Sequence, residues 1–214
     1  MIQRRVITVI IALFFYVSCA FAQSNWELQQ EEDGIAIYTK DKQGYSLKAY
    51  KAIILVNTTP EVILNILTDF DNLKTWWHLC GESRLLEKPS NGQYIYYVEF
   101  KTPWPLSNRD YVNHLSVNQL PSGIVVNVHP QSDYLPEKEG VIRIKKSYTQ
   151  WSLVAKEYGV TEVTLESCSE PEGMVPAWMT NAGILEWPHT TLMNLKKKVK
   201  HGSGLSSSGV SHDQ

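Results

Sequence analysis

Arg109, Tyr111, Asn113 and Leu115 recur at every second position of one segment, which puts a guanidinium, a phenol and an amide on one face of a strand. These groups bind: a guanidinium grips an anion through paired hydrogen bonds, and a phenol or amide fixes a single polar atom. A guanidinium among apolar neighbours needs a partner, because an isolated buried charge is very costly. For Arg109 the candidates are Asp110, Glu99 and an anionic ligand head group, so it reads either as a strand-end arginine clamped by a carboxylate or as a ligand contact. Ser107, Asp110 and His114 are the residue types of a hydrolytic triad, but lying close together on one strand they read as coincidence. The six histidines show no H-E-x-x-H or other metal-ligand spacing, and no cysteine pair has zinc-type spacing. No G-x-S-x-G turn or phosphate-cradling glycine loop occurs. The expectation is a binding protein that uses no cofactor or metal.

The elements that must position these groups are legible from periodicity. Gly34 to Lys40 and Ser46 to Ile54 alternate around Gly44 and predict a first hairpin. Thr59 as cap, Pro60 at the first helical position and Glu61 near the positive helix end predict a helix, with Val62, Ile63, Ile66, Leu67 and Phe70 on one face. A second short helix should carry Leu73, Trp76 and Trp77. Period-two segments then follow: Ser83 to Lys88, Gln93 to Lys101, Asp110 to Leu120, Ile124 to His129, Val141 to Lys156 and Thr161 to Cys168. Asn91-Gly92 and Ser122-Gly123 mark tight turns, so these strands should pair antiparallel. A long helical segment from Pro176 to Lys200 ends the fold, with Trp178, Ala182, Leu185, Leu192 and Val199 on one side and a kink or break expected at Pro188.

Residues 1–22 read as a signal peptide. Arg4 and Arg5 form a basic start, Val6 to Val17 an apolar stretch too short to span a bilayer as a helix, and Ala20-Phe21-Ala22 a cleavage site. Lipid modification at Cys19 is the alternative, and Tyr16-Val17-Ser18 fits it poorly. Export, most simply to a periplasm, follows. The segment holds two of the 20 basic and none of the 22 acidic residues, so its removal takes the net charge from −2 to −4. That argues against nucleic acid, whose phosphates require a concentrated basic face. Residues 23–200 are one domain without a linker or repeat, and the Gly/Ser-rich residues 201–214 read as a disordered tail. Cys80 and Cys168 are either a disulfide or, more commonly at such separation, two buried free thiols.

Three blocks carry a resemblance: Pro103-Trp104-Pro105-Leu106-Ser107-Asn108-Arg109-Asp110-Tyr111-Val112, Gly140-Val141-Ile142-Arg143-Ile144-Lys145, and Pro171-Glu172-Gly173-Met174-Val175-Pro176-Ala177-Trp178. In order and spacing the chain from about Trp26 to Val199 resembles the START (StAR-related lipid-transfer) family. The resemblance implies an α+β helix-grip fold, a curved antiparallel sheet closed by a long C-terminal helix around a hydrophobic cavity. It also implies that the cavity holds one lipid-like molecule and that Tyr111 lines it. Tyr94, Tyr96, Val98 and Phe100 on one strand then face inward with Arg109, Tyr111, Asn113 and Leu115 on the next.

Tyr96, Val98, Phe100, Arg109, Tyr111, Asn113 and Trp178 are therefore the expected ligand-binding residues. Two positions that form an aromatic choline cage in some family members fall on Val98 and Ser147, and Leu115 stands where sterol-binding members often place an arginine. Neither head-group chemistry carries over directly. Trp178 and Met179 read as ligand-facing or as packing, while Trp76, Trp77 and Trp151 read as core. Lys196, Lys197, Lys198 and Lys200 either complement the negative helix end or touch anionic membrane lipid beside the gate. The expectation is a monomeric carrier of one hydrophobic ligand, transferring it between membranes through transient surface contact. Two rivals stand beside it: a cyclase- or aromatase-like enzyme on the same fold, and a ligand-sensing module.

Overall fold

The computed structural model describes residues 26–173 and 175–206, with only the backbone of 177–179, 181, 182 and 203–206. The expected signal segment, residues 1–22, lies outside the described residues, as do residues 207–214.

Ten strands form one sheet: β1 (Glu27–Glu32), β2 (Ile35–Lys40), β3 (Ala49–Val56), β4 (Cys80–Ser90), β5 (Gln93–Phe100), β6 (Asn108–Leu120), β7 (Gly123–Pro130), β8 (Val141–Arg143), β9 (Ser147–Ala155) and β10 (Thr161–Ser169). The order across the sheet is β1-β2-β3-β10-β9-β7-β6-β5-β4, and β8 pairs with β6 in parallel at the start of that strand. All other pairings are antiparallel. The sheet curves, and helix α2 (Ala177–Ser206) closes it, which is the helix-grip arrangement the sequence predicts.

Alternation explains most of the strands. In β2 every second residue is buried, with Ile35 and Ile37 at 0 % exposure. β1 escaped sequence reading because Glu27–Glu32 is solvated on both faces and shows no period-two contrast. The segment Val141 to Lys156 divides, as β8 and β9 belong to different places in the sheet. Gly123 opens β7 with φ +139°, and a Cβ there would lie 2.3 Å from the Leu153 carbonyl oxygen on β9, so the close approach requires glycine.

Between β3 and β4 lie helix α1 (Pro60–Leu67) and a 3₁₀ turn over Phe70–Thr75. Ile63 and Leu67 are buried, while Val62, expected beside them, is half exposed. Thr59 occupies the cap position without a side-chain bond to the helix backbone. The 3₁₀ turn ends at Trp76, short of the helix expected through Trp77. The closing helix α2 runs unbroken across Pro188 and six residues past the expected end at Lys200, so residues 201–206 are helical. Leu192, Leu195 and Val199 pack into the main core with Ile37, Trp151 and Leu165.

A second small core escaped the sequence reading. Ile95, Tyr97 and Val112, on the outward faces of β5 and β6, are buried with Leu86 and Leu135 under the β7–β8 connection. The outer face of these strands is therefore covered, not solvated.

Candidate functional site: a cavity between sheet and closing helix

A cavity of about 180 Å³ lies between the sheet and α2. The register of β5 and β6 builds one wall. Phe100 pairs with Arg109, Val98 with Tyr111 and Tyr96 with Asn113, so all six side chains meet the cavity in three rungs. These are six of the seven residues expected at the site. Trp178 lies on α2, but its side chain is outside the described residues. Tyr94 and Leu115, one rung deeper, belong to the core instead, with Tyr94 against the ring of Phe70 at 5.1 Å.

Arg109 marks the loop end. It is 7 % exposed and lines the cavity, and no carboxylate among the described residues pairs with it. Its Nη1 donates to the Ser107 carbonyl at 2.6 Å and its Nε to the Pro171 carbonyl at 3.4 Å. Loss of solvent pulls its pKa below the ordinary value, with Tyr111 acting in the opposite sense. Two backbone contacts leave guanidinium donors for a ligand anion. Both carboxylates expected as partners are engaged elsewhere. Asp110 is bound by Arg143, and Glu99 accepts from Tyr97, Asn108 and Lys138.

Neutral polar groups sit deeper. The Tyr111 hydroxyl meets Ser169 Oγ at 3.2 Å, and Thr149 Oγ1 meets Ser167 Oγ at 2.8 Å. Asn113 Nδ2 donates to the Tyr96 hydroxyl at 3.2 Å, but Asn113 Oδ1 is buried with no partner. A buried acceptor left unpaired costs about 1–3 kcal/mol. Among the described lining residues there is no carboxylate and no hydroxyl or thiol bonded to an imidazole.

Sequence reading missed the opposite wall. Thr149 and Ser167 face the cavity from β9 and β10, and period two would have found them once the inward face of those strands was fixed. Trp77, read as core, lines the cavity, whereas Trp76 and Trp151 are core as expected. Cys80 and Cys168 are free thiols. The lysines are displaced from the gate: Lys196 lies about 30 Å along the helix from Pro176 at 1.5 Å per residue, and Lys198 donates to Thr75 Oγ1 at 3.4 Å. They cannot flank the loops around Arg109.

A curved antiparallel sheet gripping a helix over an apolar cavity defines the class of helix-grip ligand-binding domains. The START domain family profile matches residues 16–194, and the chain belongs to that family. It is 32 % identical to an uncharacterised protein of Pseudomonas aeruginosa over 191 residues, covering 88 % of this chain and 94 % of the relative. It is likewise 32 % identical to the phosphatidylcholine transfer protein of Mus musculus over 168 residues, covering 76 % of this chain and 78 % of that one. The structure of a STAR-related lipid transfer protein from Xanthomonas axonopodis superposes with a TM-score of 0.77 at 28 % identity, over 82 % of this chain and 99 % of that one.

Proposed function

We propose that this protein binds one lipid-like molecule in the cavity between its sheet and α2 and carries it between membranes as an exported, monomeric protein. The observation that carries the reading is the cavity itself, apolar along most of its wall, with the buried guanidinium of Arg109 at its loop end and the more exposed Lys48, which faces Glu27, also on its lining. Each methylene resists water by about 0.8 kcal/mol, so a long chain in transit needs such an enclosure. Membership of the START family and the lipid-transfer names of two relatives support the same reading.

Val98 and Ser147 at the cage positions carry no aromatic ring, which points away from choline recognition by that cage.

Contact with a membrane falls to the loop before β6. Trp104 is 92 % exposed between two exposed prolines, and the same loop contributes Thr102 to the cavity wall. An amphipathic ring held out beside the loop end of a lipid cavity suits the membrane–water interface.

The test is mass spectrometry of the mature protein from its own compartment, first intact and then after organic extraction. One stoichiometric amphiphile is expected. Protein that arrives empty and binds no single-chain lipid at micromolar concentration sinks the proposal.

A further inference from the structure

Lipid binding alone does not account for Asn113. Its side chain is 5 % exposed and lines the cavity, and its Oδ1 has no partner. Beside it, the Tyr96 hydroxyl accepts from Asn113 Nδ2, and the hydroxyl's own proton has no acceptor among the described residues. One free acceptor and one free donor therefore stand together on the cavity wall. A hydrocarbon chain leaves both unsatisfied. A carboxylate would accept from Tyr96 and be repelled by Oδ1. A hydroxyl satisfies both, donating to Oδ1 and accepting from Tyr96. Turning the amide over makes Tyr96 the donor to Oδ1 and leaves Nδ2 seeking an acceptor, which a hydroxyl also supplies.

The strand sets the distance to the cation. Arg109 and Asn113 share the cavity face of β6 four residues apart, roughly 13 Å at about 3.3 Å per residue. An extended acyl chain whose anionic end meets Arg109 would pass Asn113 near its middle. Several other hydroxyls line the wall, and those of Tyr111 and Ser169 and of Thr149 and Ser167 pair with one another. Among the described lining residues only Asn113 has a fully buried polar atom without a partner, so the asparagine is where a ligand group is wanted.

We propose that the ligand is a hydroxylated single-chain amphiphile, its carboxylate on Arg109 and a mid-chain hydroxyl on Asn113 and Tyr96. This rests on the lipid-binding reading and adds to it the class of lipid.

Delipidated protein is titrated calorimetrically with stearate, with a stearate hydroxylated near mid-chain, and with its isomer hydroxylated beside the carboxylate. The mid-chain hydroxy acid should bind about tenfold more tightly than either of the others, the difference one buried hydrogen-bonding group makes. Asn113→Leu should remove the preference, weakening the hydroxy acid and strengthening stearate. Should Asn113→Leu not fold, Tyr96→Phe tests the same contact by deleting one oxygen, and the preference should shrink there too. Equal binding of all three acids overturns the inference and leaves lipid binding standing. A preference that survives both substitutions overturns it as well. Failure of all three acids to bind overturns the carrier reading and this inference together.

Discussion

Arg143 grips Asp110 through two hydrogen bonds, Nε to Oδ1 at 2.8 Å and Nη2 to Oδ2 at 3.0 Å, with both side chains 1 % exposed. The same guanidinium holds the carbonyls of Ser132, Leu135 and Pro136 and so pins the β7–β8 connection. The hydrogen bond to Asp110, against the loss of solvent on burial and helped by that carboxylate's charge, raises the Arg143 pKa above the ordinary arginine value. The pair sits on the outer side of β6 and consumes the carboxylate adjacent to Arg109. Arg109 is left to the cavity because its neighbour's charge is taken on the other face.

Breaking that pair should be among the most damaging single changes in the molecule. Asp110→Asn or Arg143→Leu leaves a buried charge without compensation and should cost about 3–5 kcal/mol in denaturant unfolding. Replacing both with apolar residues should recover much of the loss. A single variant within about 0.5 kcal/mol of wild type would show the pair to be solvated.

Arg109→Gln puts an amide donor where Nε meets the Pro171 carbonyl but removes the charge and the reach to Ser107. It should weaken binding of a single-chain fatty acid about 10–100-fold, the worth of a hydrogen bond to a charged group. The corresponding fatty alcohol should be little affected. Equal loss for both ligands in calorimetry would assign Arg109 to loop architecture alone.

Trp104→Ala should leave thermal stability unchanged, because the ring touches little else at 92 % exposure. Its affinity for lipid vesicles should fall roughly tenfold, in line with partial burial of one aromatic side chain. Vesicle flotation compares the two proteins directly, and identical partitioning would place the membrane contact elsewhere.

Gly123→Ala forces a Cβ to 2.3 Å from the Leu153 carbonyl oxygen at a φ that side chains rarely adopt. The strained backbone alone should cost about 1–3 kcal/mol. Gly34→Ala is the comparison: it also has positive φ but meets open space, so it should be milder. A reversed ranking of the two melting temperatures would refute the close-approach account.

Burial raises both thiols from 9.0 to about 11. A thiol that holds its proton more tightly folded than unfolded stabilises the fold fully below about 9, and that contribution fades as pH rises through about 11. At neutral pH the native protein should react slowly with a disulfide reagent, Cys168 more slowly than Cys80, and both promptly in denaturant. Rapid native labelling of Cys168 would contradict its burial.

Much of this was legible in the residues, for stated reasons. Strand β7 buries one face in the core, and its period-two contrast follows. β5 and β6 bury residues on both faces, so the second core under them left no such contrast. The inward face of β6 was chosen by family resemblance, since alternation alone cannot say which side is inside. Asp110 as a partner for Arg109 failed on alternation itself, because adjacent strand residues point to opposite faces. The Arg143–Asp110 pair joins positions 33 apart in sequence through a parallel contact of three residues, too short to leave a pattern. Trp77 could not be told from Trp76 because both are aromatic neighbours on one turn. Only the tertiary fold puts one in the core and the other at the cavity.

The order of elements along the chain dictates when the chamber can exist. Its walls come from β5, β6, β9 and β10, but its cover is α2, the last element to be made. β3 also waits for β10, whose partner residues lie more than a hundred positions away. A nascent chain emerging in order therefore presents an open, unroofed sheet until residues beyond Leu192 arrive. A molecule enclosed by this chamber would have to enter the finished protein, after synthesis rather than during it.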